Sequence, residues 1–479
     1  MLFYVKKILS FSIVSFLIFS SLSFSSLASH YIEEAENRKF LEVESNLYPN
    51  WPIGPSIGAQ AAILMDANNG AILYAKNIHE KLYPASITKL LTTYIAMQEC
   101  KLTDPITFSE EAVSSINWWE DANMAVNPYT TLPLKDVLSG ILIGSANEAA
   151  YAVAEHISGD VSSFSDLMNK TASELGCINS HFVTPNGIHD ENHYTTAYDM
   201  ALIAKAFFSN ETLATLSGTL SYTVPVNSTQ KKEGITLTAK SQLLEGKPYA
   251  YDSLIGTKTG YTDSARQTLV SCAEKNGMKL ICVILKEEAP FQFSDTIELF
   301  DYGFDNFSPI YLSETDNPFS VQNSFFTTSY DILGNSKAIL SLNEDDYVIL
   351  PNTLSFSDLS YNISYDNKDT QVCSIQYNYR SHPLGLICVQ LAGNDSYVFD
   401  FSTVKQSKDL NYDTENQNLL FINIFHIIGM IILIFFCLIF LLFLNLFFSK
   451  AKFKNLQSRR SYKRRSPKKR FLGNRVGGK

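Results

Sequence analysis

Cysteine is scarce in this sequence, with only 7 in 479 residues. That number is too low for a disulfide scaffold, so a hydrophobic core must hold the fold together. Two pairs, Cys272 with Cys282 and Cys373 with Cys388, flank candidate turns symmetrically and could lie opposite each other on hairpins. Free core cysteines are the alternative, and the low total favours them.

Acidic residues are absent from both ends of the chain. Residues 1–28 and 449–479 contain no Asp or Glu, whereas the segment between them carries all 48 acidic residues against 23 basic ones. This balance excludes nucleic acid as an expected partner of the central segment. At the N-terminus, Lys6 and Lys7 precede an apolar run and then small residues, which predicts a signal peptide over 1–28. A retained N-terminal anchor is the alternative.

Charge is also absent from a long run near the C-terminus. Residues 427–444 are eighteen apolar residues in succession, within an apolar zone over 419–448. This length predicts a transmembrane helix. Thirteen Lys and Arg residues follow in 449–479, which is typical of a basic cytoplasmic tail. We therefore expect a single-pass protein of the cell membrane, with most of the chain outside the cytoplasm and a polar stalk over 406–418.

The central segment divides into three parts by pattern. Residues 29–54 are polar without periodicity and predict a linker. Over 55–305, strand-like runs at both ends enclose helical patterns, which predicts an α+β domain with one antiparallel sheet covered by helices. Asn276-Gly277 between two apolar runs is a strong hairpin signal. Over 306–405, short β-branched and aromatic runs alternate with turn residues and predict a separate small all-β domain.

Ser86 and Lys89 open an apolar helical run within Pro84-Ala85-Ser86-Ile87-Thr88-Lys89. Residues three apart share one face of a helix, so the hydroxyl and the amine can meet. Serine becomes a nucleophile when a neighbouring base removes its proton. Lysine acts as such a base when burial or nearby positive charge lowers its pKa. An ordinary helix with a surface lysine is the alternative.

Two further motifs follow in chain order. Ser145-x-Asn147 separates two helical runs, and Lys258-Thr259-Gly260 precedes the predicted hairpin. Each is weak alone, since a cap or an exposed strand lysine would look the same. Together with Ser86-x-x-Lys89, they match a motif set of β-lactamases and penicillin-binding proteins. Another group of candidate metal ligands fits no zinc motif, so we expect a structural loop there: Cys177, His181, His189 and His193.

With their flanking sequences, the three motifs resemble those of D-alanyl-D-alanine carboxypeptidases. These are low-molecular-mass penicillin-binding proteins of serine peptidase family S11. The resemblance covers roughly residues 55–305 and implies a β-lactamase/transpeptidase-like fold. Two features depart from the family pattern: Arg266 stands where many members have Gly, and a full span replaces an amphipathic anchor helix.

The resemblance implies three catalytic residues and no metal or organic cofactor. Ser86 would attack the carbonyl between two D-Ala residues and become an acyl-ester. Lys89, as a neutral amine, would take the Ser86 proton. Ser145 would relay a proton towards the leaving nitrogen.

Substrate-binding residues follow from the same resemblance. Asn147 would hold the substrate amide, while Lys258 and Thr259 would bind the terminal carboxylate. Gly260 would let the backbone approach closely. The backbone N–H groups of Ser86 and Tyr261 would form the oxyanion hole.

The expected activity is removal of the terminal D-Ala from peptidoglycan stem peptides during cell wall maturation, with β-lactams as covalent inhibitors. A β-lactamase is an alternative and needs a deacylating carboxylate, for which Glu174 lies between the second and third motifs. A transpeptidase and a membrane-bound β-lactam sensor are the others. The short tail over 449–479 leaves a sensor no room for a folded output domain.

Overall fold

The computed structural model describes residues 30–225, 234–312, 340–341, 346–364, 371–380 and 382–391. These residues lie in one compact unit. The predicted signal peptide, stalk, membrane span and basic tail lie outside them. No helix in this described part of the chain combines the length and apolarity needed to cross a membrane.

A five-stranded antiparallel sheet of order β2-β1-β9-β8-β7 is the centre of the fold. Its strands are β1 (Ala61–Asp66), β2 (Ile72–Lys76), β7 (Leu254–Thr262), β8 (Arg266–Lys275) and β9 (Met278–Glu287). The β8–β9 hairpin turns at Asn276 and Gly277, with φ of 54° and 78°. Positive φ at both positions is the type I′ geometry that this dipeptide predicts. Strand β7 is an edge strand, so one of its sides is not paired within the sheet.

Helices cover one face of the sheet, as predicted. Ile63 and Met65 of β1 pack into the core on that face, whereas Ala62 and Leu64 alternate to the other. The helices are α2 (Lys89–Glu99), α3 (Glu110–Ser114), α4 (Leu134–Leu142), α5 (Asn147–Ser158), α6 (Val161–Glu174), α7 (Ala197–Phe208) and α8 (Glu211–Ser217). Two short two-stranded sheets accompany these helices: β3 (Pro105–Thr107) pairs with β4 (Thr131–Pro133), and β5 (Ser221–Val224) pairs with β6 (Ile235–Thr238).

The opposite face of the sheet is covered by α9 (Phe291–Asn306) and by the N-terminal segment. Residues 29–54 are predicted as a linker, but the described residues 30–54 are instead packed, and residues 30–38 form helix α1. Trp51 is buried, and its Nε1–H donates to the Leu73 carbonyl at 3.0 Å. The buried Lys76 amine donates to the Arg38 carbonyl at 2.8 Å. A few irregularly spaced anchors hold this segment, so its sequence carries no periodic pattern.

The β-rich segment begins at the predicted boundary, because α9 ends at Asn306 and the next strand starts at Phe307. Its described residues form a two-stranded and a four-stranded sheet, β10-β12 and β11-β15-β14-β13. The strands are β10 (Phe307–Tyr311), β11 (Leu340–Ser341), β12 (Tyr347–Pro351), β13 (Ser360–Ser364), β14 (Gln371–Tyr379) and β15 (His382–Leu391).

This β-rich segment packs on the first domain through the turn between β1 and β2. The Tyr347 hydroxyl donates to Asp66 Oδ2 at 2.9 Å and accepts from Asn68 Nδ2 at 2.7 Å. Ile349 and Leu350 lie in the same core cluster as Trp51. The segment expected to be separate therefore shares part of its core with the sheet.

Neither cysteine pair forms a disulfide, and all six cysteines of the described residues are free thiols. The register pairs Cys282 with Ser271 rather than with Cys272. Neighbouring residues of a strand point to opposite faces of the sheet. Cys272 therefore lies in the core beneath the helices, and Cys282 lies in the core on the opposite face. The same one-residue offset separates Cys373 and Cys388.

Truncation of Trp51 tests whether the N-terminal segment stabilises the domain. Trp51→Ala should lower the free energy of unfolding by about 3 kcal/mol, since the indole is buried between sheet and β-rich segment. Urea denaturation measures this loss. Phe40→Ala is the matched control, because Phe40 is 87% exposed and should change stability little. Equal stability of both variants would contradict the packed role of this segment.

Candidate active site

Ser86 lies on a short 3₁₀ turn, Ala85–Thr88, that leads directly into α2. Ala85 has φ of 52°, a conformation that non-glycine residues rarely adopt. Thr268 Oγ1 on β8 donates to the Pro84 carbonyl at 2.8 Å and fixes the entry to the turn. A Cβ on Gly187 would lie 1.9 Å from the Ala85 carbonyl oxygen, so only glycine fits against this turn. The surroundings thus hold the backbone of Ala85, the residue before Ser86, in a strained conformation.

The Lys89 side chain is fully buried next to Ser86. Its Nζ lies 2.8 Å from Ser86 Oγ, 2.6 Å from Asn147 Oδ1 and 2.7 Å from the Asn186 carbonyl oxygen. Burial holds the pKa of Lys89 well below its usual range, and the charge of Lys258 lowers it further. A neutral amine has two N–H donors and one lone pair. Asn147 and Asn186 can take the two donors, which directs the lone pair at the Ser86 hydroxyl.

Ser145 and Lys258 stand on the neighbouring wall. Ser145 lies in the loop between α4 and α5 with φ of 59°. The buried Lys258 Nζ donates to Ser145 Oγ at 3.0 Å and to the Thr259 carbonyl at 2.7 Å. Burial lowers the pKa of Lys258 to about 7, and the charge of Lys240 contributes. The contact between Lys258 and Ser145 therefore joins strand β7 to the loop between α4 and α5.

Strand β7 forms one edge of the cleft and lies very close to Ser86. A Cβ on Gly260 would be 2.9 Å from the Ser86 backbone nitrogen and 2.4 Å from Thr268 Oγ1. Thr259, Gly260 and Tyr261 line a cleft of about 340 Å³ together with Ser86, Ser145 and Asn147. All three motifs separated in sequence therefore meet at one cavity.

The cleft has three features that were not among the site residues expected from the sequence. The Asn186 carbonyl binds Lys89, although Asn186 belongs to none of the three motifs. Lys240 lines the cleft and lowers the pKa of both Lys89 and Lys258. No local pattern marks it, since it lies on an ordinary polar stretch after β6.

Glu148 is the third feature and clamps one lip of the cleft. The Met124 N–H donates to Glu148 Oε1 at 2.7 Å, and the Asn147 N–H donates to the Ala122 carbonyl at 2.8 Å. These bonds join residues 122–124 to the first turn of α5. Glu148 is fully buried, and burial raises the pKa of its carboxyl to about 7.

His193 braces the turn that carries Asn186. Val183 and Thr184 N–H groups both donate to His193 Nδ1, at 3.0 and 3.2 Å. Its Nε2 therefore carries the proton and donates to Thr88 Oγ1 at 2.9 Å. Burial lowers the pKa of this imidazole to about 3.

Arg266 contacts the edge of the cleft: its guanidinium donates to the Tyr261 hydroxyl at 3.4 Å and lies 5.7 Å from the centre of the Tyr261 ring. It has φ of 55°, which explains why glycine suits this position. Its guanidinium binds Glu288 through two nitrogens and lies 3.9 Å from the centre of the Tyr31 ring. Arg266 thus ties helix α1 to the end of β7.

Glu174 does not reach the cleft. It is exposed at the end of α6, with its carboxylate 3.8 Å from Lys170 Nζ. It is therefore not placed as a deacylating carboxylate, which removes the sequence-based support for the β-lactamase alternative.

Substitution of Glu148 tests the clamp on the cleft lip. Glu148→Ala should reduce kcat/KM for the expected release of D-Ala at least tenfold, because the buried Met124 N–H loses its acceptor at a cost of about 1–3 kcal/mol. Glu148→Gln keeps an acceptor and should retain activity within about threefold. Steady-state kinetics below the melting temperature of each variant measure both. Equal losses in the two variants would contradict the clamp.

Acid sensitivity tests the neutral state of His193. Its pKa falls from 6.5 to about 3 on folding, so its stabilising effect is complete above pH 6.5 and is lost as the pH falls towards 3. Wild type should lose up to about 1.4 kcal/mol per pH unit from this group. The stability difference between wild type and His193→Gln should therefore shrink on acidification, measured by urea denaturation. A constant difference would contradict the assignment.

Comparisons with known proteins agree with this geometry. Residues 49–289, half of the chain, match the peptidase S11 family, described as D-alanyl-D-alanine carboxypeptidase. Over 261 residues the chain is 33% identical to D-alanyl-D-alanine carboxypeptidase DacF of Bacillus subtilis, covering 53% of this chain and 64% of that protein. Over 281 residues it is 34% identical to D-alanyl-D-alanine carboxypeptidase DacA of Haemophilus influenzae, covering 57% of this chain and 68% of that protein.

A solved structure gives the same answer for the fold. Penicillin binding protein 5 from Haemophilus influenzae aligns with a TM-score of 0.56 at 27% identity, covering 71% of this chain and 98% of that one. The chain therefore belongs to the D-alanyl-D-alanine carboxypeptidases of peptidase family S11, the low-molecular-mass penicillin-binding proteins.

Proposed function

We propose that this chain removes the terminal D-Ala from peptidoglycan stem peptides through an acyl-enzyme on Ser86. The observation that carries the proposal is the buried Lys89 amine, whose third partner is the Ser86 hydroxyl at 2.8 Å. A lysine whose pKa is lowered by burial can take a proton at neutral pH. The open edge of β7 beside it accommodates an extended peptide.

Substrate binding uses the cleft along β7. The stem peptide adds to this edge as a further strand, with main-chain hydrogen bonds. Its terminal carboxylate lies between the Lys258 ammonium and the Thr259 hydroxyl. The carboxylate also raises the pKa of Lys258, which keeps this lysine charged once substrate is bound. The Asn147 amide holds the backbone of the acyl residue.

Acylation begins when Lys89 accepts the Ser86 proton. The Ser86 oxygen bonds to the carbonyl carbon, and the carbonyl oxygen becomes an oxyanion. Backbone N–H groups of Ser86 and Tyr261 stabilise it, and the fit of Gly260 against the Ser86 nitrogen supports this placement. One such donor contributes about 3 kcal/mol in other acyl-transfer enzymes.

Collapse of this intermediate breaks the C–N bond. The proton held by Lys89 returns to the leaving nitrogen through the Ser145 hydroxyl, and D-Ala departs with an amino group. Water then attacks the ester, with Lys89 again as the base, and releases Ser86 and the shortened peptide. A β-lactam acylates Ser86 in the same way, and its ring-opened adduct occupies the site.

We also propose that the catalytic domain lies outside the cytoplasm. Signal-like residues 1–28 and the apolar zone 419–448 with its basic flank support an extracytoplasmic domain anchored by a C-terminal span. That placement brings the cleft to the stem peptides of the cell wall.

The direct test compares Ser86→Ala with wild type on an N-acylated peptide ending in D-Ala-D-Ala. Wild type should release D-Ala and gain the mass of one penicillin, whereas Ser86→Ala should do neither, because the attacking oxygen is gone. Ser162→Ala is the matched control, since Ser162 is exposed on α6. D-Ala release by Ser86→Ala at the wild-type rate would refute the proposal.

Product analysis separates the remaining alternatives. Transfer of the acyl group to an added amine would indicate a transpeptidase, a reaction named for a Streptomyces protein with a similar fold at 26% identity and a TM-score of 0.50. Fast penicillin turnover would indicate a β-lactamase. A phenotype lost on deletion of residues 450–479, with hydrolysis intact, would indicate a sensor.

A further inference from the structure

A loop beside the cleft exposes two of the three tryptophans in the chain. Trp119 is 95% exposed and Trp118 is 41% exposed, whereas Trp51 is 6% exposed. Adjacent aromatic rings left in water on a monomer surface commonly mark a binding site. Neither ring is accounted for by the catalytic machinery.

The turn that carries these rings is fixed by its own hydrogen bonds. Asn117 Nδ2 donates to Glu120 Oε2 at 2.8 Å, and the Asn117 N–H donates to Asp121 Oδ2 at 2.8 Å. The Trp119 N–H donates to Asn117 Oδ1 at 3.2 Å. The indole is therefore presented on an ordered turn, which reduces the entropy lost on binding a ligand.

This turn continues directly into the catalytic cleft. Glu120, Asp121 and Ala122 line the cavity that contains Ser86. Asn147 lines the same cavity, so in the binding mode proposed above the remainder of the stem peptide would extend past Asn147 towards this lip. Four extended residues span at most about 14 Å, so the sugar that carries the peptide comes to lie near the cleft rim.

We propose that Trp118 and Trp119 form a saccharide platform that binds the glycan strand of the substrate. This inference rests on the function proposed above. The apolar faces of pyranose rings stack on indole, and sugar hydroxyls can donate to the Glu120 and Asp121 carboxylates. These acidic neighbours also disfavour an anionic membrane surface as the occupant. The enzyme would thereby prefer stem peptides that are still attached to glycan.

The test uses two substrates for each protein: an N-acetylated pentapeptide, and the same pentapeptide linked to its disaccharide. Wild type should have a higher kcat/KM for the disaccharide form. In Trp119→Ala, the ratio of kcat/KM between disaccharide and free peptide should fall about tenfold. Trp119→Phe should restore most of this ratio, because a stacking ring remains. Phe40→Ala, at another strongly exposed aromatic residue, should leave it unchanged.

The experiment distinguishes failure of the saccharide platform from failure of the proposed D-Ala release. An unchanged ratio in Trp119→Ala overturns the saccharide platform while D-Ala release persists. Binding to phosphatidylglycerol vesicles that is lost in Trp119→Ala, with an unchanged ratio, would assign the rings to a lipid surface instead. If wild type releases no D-Ala at all, tryptophan fluorescence titration with the peptide-free disaccharide tests the platform separately. No fluorescence change then overturns it.

Discussion

The burial of the Lys89 amine is the constraint on which the site depends. A lysine without contact with water is stable only if its charge is reduced and its polar atom is fully bonded. The partners of Lys89 come from three segments: the turn carrying Ser86, the first residue of α5, and the loop at Asn186. Each segment must therefore be held closely, and the turn that carries Ser86 includes the strained residue Ala85.

The supports of these segments lie outside the cleft. His193 fixes the loop of Asn186 to Thr88, and Glu148 fixes the cleft lip to α5. Both side chains are titratable, yet burial favours their neutral forms. Lys240 lines the cavity together with Glu120 and Asp121, and Lys258 is buried beside Ser145. The two lysines suit the terminal carboxylate of the proposed substrate.

The second face of the sheet gives the cleft its rigid base. Helix α9, the N-terminal segment and the β-rich segment share one core there, and it includes Trp51 and Leu350. Arg266 joins this side to the cleft, since it binds Glu288 and stacks on Tyr31 of helix α1. The N-terminal segment therefore supports the edge strand β7 and is not a simple tether.

Local chemistry in the sequence determined the sheet hairpins, the helical runs and the three motifs. Spacing alone places Ser86 and Lys89 on one face, and Asn276-Gly277 favours one turn type. Only the tertiary structure determined how segments far apart in the chain meet. It gave Lys89 a carbonyl from Asn186 and placed Lys240 at the cleft. It also packed the predicted linker on the sheet and put the two members of each candidate cysteine pair on opposite faces. Backbone carbonyls, irregular anchors and one-residue register offsets leave no pattern in residue types, so sequence reasoning could not find them.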